Sequence, residues 1–532
     1  MSTSRPSRTW RLTVLSVVAT LLAGLLAACG GSPAAPAQPT TAPPQPTAAP
    51  QPTAAPQATA APPQPTAPPQ PTAAPAAEQV ELTWWDPLVT QEPWILNEIK
   101  LFEQANPGIK VKRIKQPNMQ DALKAALADK NLPDVWLESG ADLKARVKDG
   151  YLYPISDFPD YPDFVKTFPQ PKVDFVPGSN IIDGKTYAAP FEARGGMWNM
   201  LYINTKVFKD AGIVDDKGEA KIPQTLDEME ADCQKIKEKG NGAYCFASPF
   251  SEFLGAFFPW WWGTRSGAPF DGTDPQTGKS LYGQNKVYNR ILEFIAKGRD
   301  QGWIHPQSAS ANDEAIRALF AEGEVGIIPG GAWNLNGWQQ THPDFKDYVP
   351  AAPPLINTDK QLGWYDSGHG GAFLLIGSTT KHPQEAWKLF KWIHSKEAGR
   401  RWVESGNGTS IWPENNDPKL MPPLLAIYYK INTENSRVQP FSTKPNPDMD
   451  KVVFGDTKPN EVAILQGVFA GQITDIDKAL KELGAAKDKM REQAFEDARK
   501  AGAKNVGFEY LAVAKQFPGW DPSAGKDFVP QD

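Results

Sequence analysis

An α/β body behind a non-globular amino-terminal segment is the fold class the sequence predicts, on three observations. Strand-like and helix-like periodicities alternate from Val80 to Glu138. The first 77 residues hold only three charged side chains, Arg5, Arg8 and Arg11, with no carboxylate before Glu78. The other 455 of the 532 residues have ordinary composition and suffice for two or three domains with sizeable cores.

At the amino terminus, the three arginines precede an apolar run, Leu12–Ala28, that stops at Cys29-Gly30-Gly31. A basic segment, an apolar core and small residues before a cut define an export signal. The tetrad Leu26-Ala27-Ala28-Cys29 resembles the lipobox of bacterial lipoproteins. The resemblance implies removal of residues 1–28 and acylation of Cys29 into a stable membrane anchor; a plain signal peptide or signal anchor is the alternative. Residues 32–77 contain 16 prolines in 46 positions and no aliphatic side chain larger than Ala, so they build no core. Proline favours extended geometry of about 3.1 Å per residue, and residues 29–77 are read as lipidated cysteine plus a semi-rigid, disordered stalk.

The body opens with the alternating strand Val80–Trp85, then a helix around Trp94–Gln104, a turn at Asn106-Pro107-Gly108 and a strand Ile109–Ile114. A helix Met119–Asp129 and a short strand Asp134–Glu138 follow. This order implies parallel βαβ units, whose ligands bind beyond the carboxyl ends of the strands. Trp84-Trp85-Asp86 and Trp136–Ser139 fall at that rim.

An ordered series of motifs runs through residues 80–415. It includes Phe102-Glu103-x-x-Asn106-Pro107-Gly108-Ile109, Pro133-Asp134-Val135, Gly150-Tyr151-Leu152-x-Pro154 and Asp183-Gly184-Lys185-x-Tyr187. Leu201-Tyr202-x-Asn204, Gly323-x-x-Gly326-Ile327, Gly330-x-x-Trp333, Gly370-Gly371-Ala372-Phe373 and His382-Pro383-x-x-Ala386-Trp387 continue it. The series resembles family 1 of the bacterial extracellular solute-binding proteins, the receptors of sugar ABC importers. The resemblance implies a two-lobed, type II periplasmic-binding-protein-like fold with the ligand cleft between lobes joined by crossing hinge strands. By that analogy the crossings lie near Tyr202–Asn204, Gly371–Ile376 and Ser405–Pro413. The first lobe is then residues 78–201 plus 373–410 and the second 203–370 plus 413–532.

A sugar presents hydroxyl groups and C–H patches, so its receptor needs flat aromatic faces beside carboxylate, amide or guanidinium partners. Near the expected rims and crossings stand Trp84, Trp85, Asp86, Glu138, Glu192, Arg194, Trp260, Trp261, Trp333, Asn334, Asp366, His369 and Trp412. Trp333 resembles the tryptophan that stacks on sugar after the glycine-rich strand of maltodextrin-type receptors. Core packing is the competing role for every tryptophan, and in an extended chain at most two of Trp260-Trp261-Trp262 share a surface. For Glu138 the competing role is an exposed loop carboxylate, for Glu192 and Arg194 mutual pairing, for His369 a surface turn. Cys233 and Cys245 form either a disulfide, favoured by an oxidising compartment, or two free thiols. Asp477–Ala501 reads as a surface helix.

A formal charge of −6 excludes a general nucleic-acid binder. The Gly272–Ser280 segment has five residues between its glycines instead of the four of a phosphate loop, and the five histidines form no close metal pair. No catalytic residue, metal or cofactor is therefore assigned. The expected protein is an extracytoplasmic, lipid-anchored monomer that delivers a sugar to importer permease subunits. Receptors of the same fold for a polyol, a sugar phosphate or another polar solute, and a secreted carbohydrate-active enzyme with paired carboxylates, are the alternatives.

Overall fold

The computed structural model describes residues 79–138, 143–193, 200–366, 371–440 and 446–528. The export signal, Cys29, the stalk, Arg194 and His369 lie outside the described residues. Two mixed four-stranded sheets organise the chain. Their strands are β1 Val80–Asp86, β2 Ile109–Lys115, β3 Val135–Leu137, β4 Met200–Asn204, β5 Tyr244–Phe246, β6 Val325–Gly330, β7 Tyr348–Ala351 and β8 Leu374–Ile376.

The first sheet has the order β8-β3-β1-β2, with β1 parallel to β2 and β3, and β8 antiparallel to β3. Alternation in β1 turns Leu82, Trp84 and Asp86 inward. Helix Glu92–Ala105 starts with Pro93 in its first turn and buries Trp94, Ile95, Glu98, Ile99 and Phe102, the three-to-four spacing of one helix face. Glu98 is fully enclosed, and Arg401 satisfies it with two hydrogen bonds of 2.6 and 2.7 Å while the Trp392 indole donates a third of 3.0 Å. Such pairing makes a buried carboxylate tolerable. It also fastens helices Pro383–Ile393 and Lys396–Glu404 to the start of the chain.

In the second sheet, of order β5-β6-β4-β7, β5 and β6 run parallel and β4 is antiparallel to both of its neighbours. All five residues of β4 are buried, as an interior strand covered on both faces requires. The expected crossing at Tyr202–Asn204 is therefore corrected: these residues are the middle of a sheet. The chain passes from the first core to the second between Phe191 and Met200, returns between Tyr365 and Phe373, and leaves again between Trp412 and Met421.

Cys233, on helix Leu226–Lys239, is disulfide-bonded to Cys245 on β5 with the Cα atoms 4.9 Å apart. The amphipathic segment read at 477–501 is a helix, Ile476–Lys500. Its Leu480 and Leu483 enter the second core, and its Ala494, Phe495 and Ala498 pack with Met449 and Val452. From that cluster the Met449 carbonyl accepts a 3.4 Å hydrogen bond from Lys144 of the first lobe, whose ammonium lies 3.9 Å from Asp450. Among the described residues no helix is long and apolar enough to cross a membrane.

Replacing Cys233 and Cys245 together by Ser is expected to lower stability by about 3 kcal/mol, because the bridge restricts the unfolded chain. Urea unfolding of the variant against the oxidised protein measures this.

Candidate functional site

At the rim of the first lobe, β1 ends in Asp86, which is fully buried. Arg113, two residues back on the neighbouring strand β2, grips it with two hydrogen bonds of 2.8 and 2.9 Å, and the Leu88 amide donates a third of 3.0 Å. Asp86 thus has its acceptors occupied within the protein, and its expected ligand contact is replaced by a structural one. Trp84 is likewise enclosed in the first core, whereas its neighbour Trp85, on the opposite face of the pleat, stays partly exposed. At the end of β3 the Glu138 amide donates to the Phe373 carbonyl at 2.9 Å, completing the ladder toward β8. The Glu138 carboxylate accepts from the Trp136 indole at 3.0 Å and from Arg146 at 2.8 Å, and remains partly exposed. It is neither a free loop carboxylate nor a buried one, but an oriented acceptor at the rim.

On the second lobe β6 runs into Gly330-Gly331, and helix Trp333–Thr341 begins directly after it. A Cβ on Gly330 would lie 2.2 Å from Asn334 Nδ2, and one on Gly331 would lie 2.0 Å from Trp333 Cζ3. The two glycines therefore allow the indole and the carboxamide to fold back over the end of the strand. Beside Trp333 lies the carboxylate of Asp313, whose pKa burial raises and the nearby Arg317 partly restores. Asn334 is fully buried, and among the described residues its carboxamide O and N have no hydrogen-bond partner.

Where the lobes join, the Ile411 amide donates to the Phe191 carbonyl at 2.9 Å and the Ala193 amide to the Thr409 carbonyl at 3.3 Å. Glu192 sits in this crossing, its carboxylate against Gly408 and the Trp402 indole. Burial pushes its pKa up to about 7, against a smaller lowering by the adjacent Trp402 indole. Tyr428, whose hydroxyl bonds the backbone of Ala332, feels the same carboxyl. Glu192, Tyr428 and the Trp333–Asn334 turn thus form one neighbourhood.

The other expected residues are distributed differently. The three consecutive tryptophans lie in helix Phe253–Trp262 and not in an extended segment. Trp260 and Trp262 face the core and only Trp261 is partly exposed, with its indole N–H unpaired. Trp412 is buried against Phe168 and donates to the Thr167 carbonyl at 3.1 Å, so its expected ligand contact gives way to packing. The backbone of Asp366 pairs with that of Arg437 in a separate two-stranded sheet. Three features escaped the sequence reading: Tyr428, the stacked rings of exposed Phe253 and partly buried Phe257, and the direct contacts between lobes. Among those contacts, Gln340 donates to the Thr90 carbonyl at 2.7 Å and Asn336 donates to Asn407. The four-residue spacing of Phe253, Phe257 and Trp261 was the available signal for the second of these.

Two α/β lobes joined by side-by-side crossing segments, with polar and aromatic groups at the facing strand ends, define a binding protein that closes around a solute. The sequence profile of the bacterial extracellular solute-binding proteins matches residues 99–422, and the chain belongs to that family of extracytoplasmic binding proteins. A binding protein of Brucella abortus (strain 2308) is 25% identical over 330 residues, 59% of this chain and 71% of that one. The multiple sugar-binding protein of Streptococcus mutans serotype c is 24% identical over 318 residues, 58% of this chain and 69% of that one. Among solved structures, the maltose/maltodextrin-binding domain of Bdellovibrio bacteriovorus, bound to maltotriose, superposes with a TM-score of 0.56 at 18% identity, covering 79% of this chain and 100% of that one.

Two outcomes follow from the geometry. Asp86→Ala leaves the Arg113 guanidinium without its main partner and is expected to cost about 3 kcal/mol in urea unfolding; a purely ligand-binding Asp86 would leave stability unchanged. Burial raises the Glu192 pKa in the fold, so its contribution to stability is complete below its ordinary value of 4.5 and is lost as pH rises through about 7. Glu192→Gln is expected to flatten the fall in urea midpoint between those pH values.

Proposed function

We propose that the protein is the lipid-anchored receptor of an ABC importer and captures a neutral sugar, an oligosaccharide, between its lobes. The observation that carries this reading is the Trp333–Asn334 turn, which presents an aromatic face and an unpartnered buried carboxamide together at the end of a glycine-terminated strand. An aromatic face suits sugar C–H groups, and a carboxamide can both donate to and accept from hydroxyls. The names of the Streptococcus mutans relative and of the maltotriose-bound Bdellovibrio domain support a sugar. Trp85, Glu138, Glu192 and Asp366 complete the proposed site, with Arg194 and His369 added from the sequence.

The proposed first lobe runs to Phe191 and resumes from Phe373 to Trp412; the second holds Met200–Tyr365 and the chain from Met421 onward. Ligand contacts made to both lobes shift the open–closed equilibrium toward closure, the form an importer would recognise. A sugar phosphate is disfavoured because the Arg265 guanidinium is already committed to Asn435 at 2.8 Å and to the Pro353 carbonyl. Cys29 is the proposed acylation site, with the stalk holding the body away from the membrane.

A thermal-shift screen against a sugar library tests the reading, since a tight ligand raises the melting temperature by mass action. With the sugar so found, Trp333→Ala is expected to weaken binding at least tenfold by titration calorimetry, and unchanged affinity removes Trp333 from the site. Sustained release of products from oligosaccharides by the purified protein, abolished by one carboxylate substitution, would replace the receptor by an enzyme.

A further inference from the structure

Well beyond the last residue matched by the family profile, the chain comes back to one of the passages between the lobes. After Ala514, whose amide donates to the Pro275 carbonyl at 2.9 Å, none of the described residues is buried. The segment Phe517–Phe528 nevertheless follows a defined path. Its end rings, Phe517 and Phe528, meet edge to face at 4.9 Å, and between them the Ala524 amide donates to the Asp521 carbonyl at 3.1 Å. The Asp527 carboxylate accepts from the Val438 amide and the Phe528 amide donates to the Val438 carbonyl, each at 2.8 Å. Arg437 donates to the Gly525 carbonyl at 2.7 Å.

Glycine at 525 is what lets the segment lie there. Its φ of +62° is left-handed, and a Cβ on it would come within 2.4 Å of the Trp364 ring. The Arg437 guanidinium stands 5.6 Å from the centroid of the same indole, within cation–π range. Trp364 immediately precedes Tyr365–Asp366, whose backbone pairs with Ser436–Arg437. Tyr365 belongs to the second-lobe core, and from it the chain returns to Phe373 of the first. A pair of two-residue strands is marginal by itself, so what lies against it decides whether it holds. Phe517–Phe528 lies against it, on Trp364 from one strand and on Arg437 and Val438 from the other.

We propose that Phe517–Phe528 is a strap that sets where this passage between the lobes starts to bend. Seated, it holds Trp364–Asp366 to the second lobe through Arg437 and confines bending to the chain after Asp366. Lifted, it leaves a strand pair that frays, so the bend spreads back to Trp364 and the lobes gain freedom that favours the open form. With none of its residues buried, the strap belongs to the part of a fold that opens locally at little free energy. This rests on the lobe boundary proposed at Tyr365 and not on which solute is bound.

Hydrogen exchange of the full chain without ligand, followed by mass spectrometry, tests this. In the unaltered protein, amides of residues 361–366 should exchange slowly and those of 367–373 rapidly. In Gly525→Val, whose side chain cannot lie on Trp364, residues 361–366 and 436–439 should exchange faster by about tenfold or more, while β1 and β6 are unchanged. Asp527→Ala combined with Phe528→Ser should do the same without touching Trp364, which separates loss of the strap from distortion by the valine. The altered residues all lie on the unburied segment, so both variants should fold, and unchanged exchange in β1 and β6 reports that they do. Slow exchange of 361–366 that neither variant alters, or that only the valine alters, overturns the strap, as does rapid exchange there in the unaltered protein. Slow exchange throughout 361–373 in the unaltered protein is a different result: it overturns the lobe boundary at Tyr365, and the strap with it.

Discussion

The architecture depends on the pairing of two strands of chain at the lobe junction. Phe191–Ala193 and Thr409–Ile411 are tied by backbone hydrogen bonds of 2.9 and 3.3 Å, so the segments that lead into two of the three passages between the cores run together. Side-by-side crossings restrict the freedom of the lobes to a hinge, since either segment must bend with the other. Glu192 lies within that pair, packed on Gly408, where no Cβ would fit without meeting its carboxylate at 2.9 Å. The neutral carboxyl favoured there links hinge, Tyr428 and the Trp333 turn through short-range packing.

Much of the first lobe was legible because its signals are local. The alternation of Val80–Asp86, the turn at Asn106-Pro107-Gly108 and the apolar stripe of Glu92–Ala105 each follow from a few neighbouring residues, and their boundaries agree with the structure to within two residues. β4 was harder to place, because a strand buried on both faces carries no alternation, and only its partners β6 and β7, more than a hundred residues away, reveal it as sheet interior. The run Phe253–Trp262 misled for the opposite reason: its consecutive tryptophans suggest extended chain, yet tertiary packing overrides that preference and makes it a helix.

Within the candidate site the same division holds. Trp333 was readable because two glycines precede it and leave room for its ring. Asp86 could not be distinguished from a ligand carboxylate by sequence, since its partner Arg113 is 27 residues away and meets it only through the parallel register of β1 and β2. Trp84, Trp260 and Trp412 show the same ambiguity in apolar form: an indole at a strand end or a crossing faces inward or outward according to pleat and helix phase.

One contact bears on how quickly such a receptor lets go. The Met449 carbonyl and Asp450 belong to the carboxyl-terminal cluster, beyond the last residue matched by the family profile, and they meet Lys144 on the short helix Leu143–Lys148 of the first lobe. That helix also carries Arg146, which holds Glu138 at 2.8 Å. Separation of the lobes would break the Lys144 contact, on the same helix that carries Arg146. Its strength therefore enters the residence time of a bound solute more than its rate of capture, and rising ionic strength, which screens a partly exposed pair, shortens that residence.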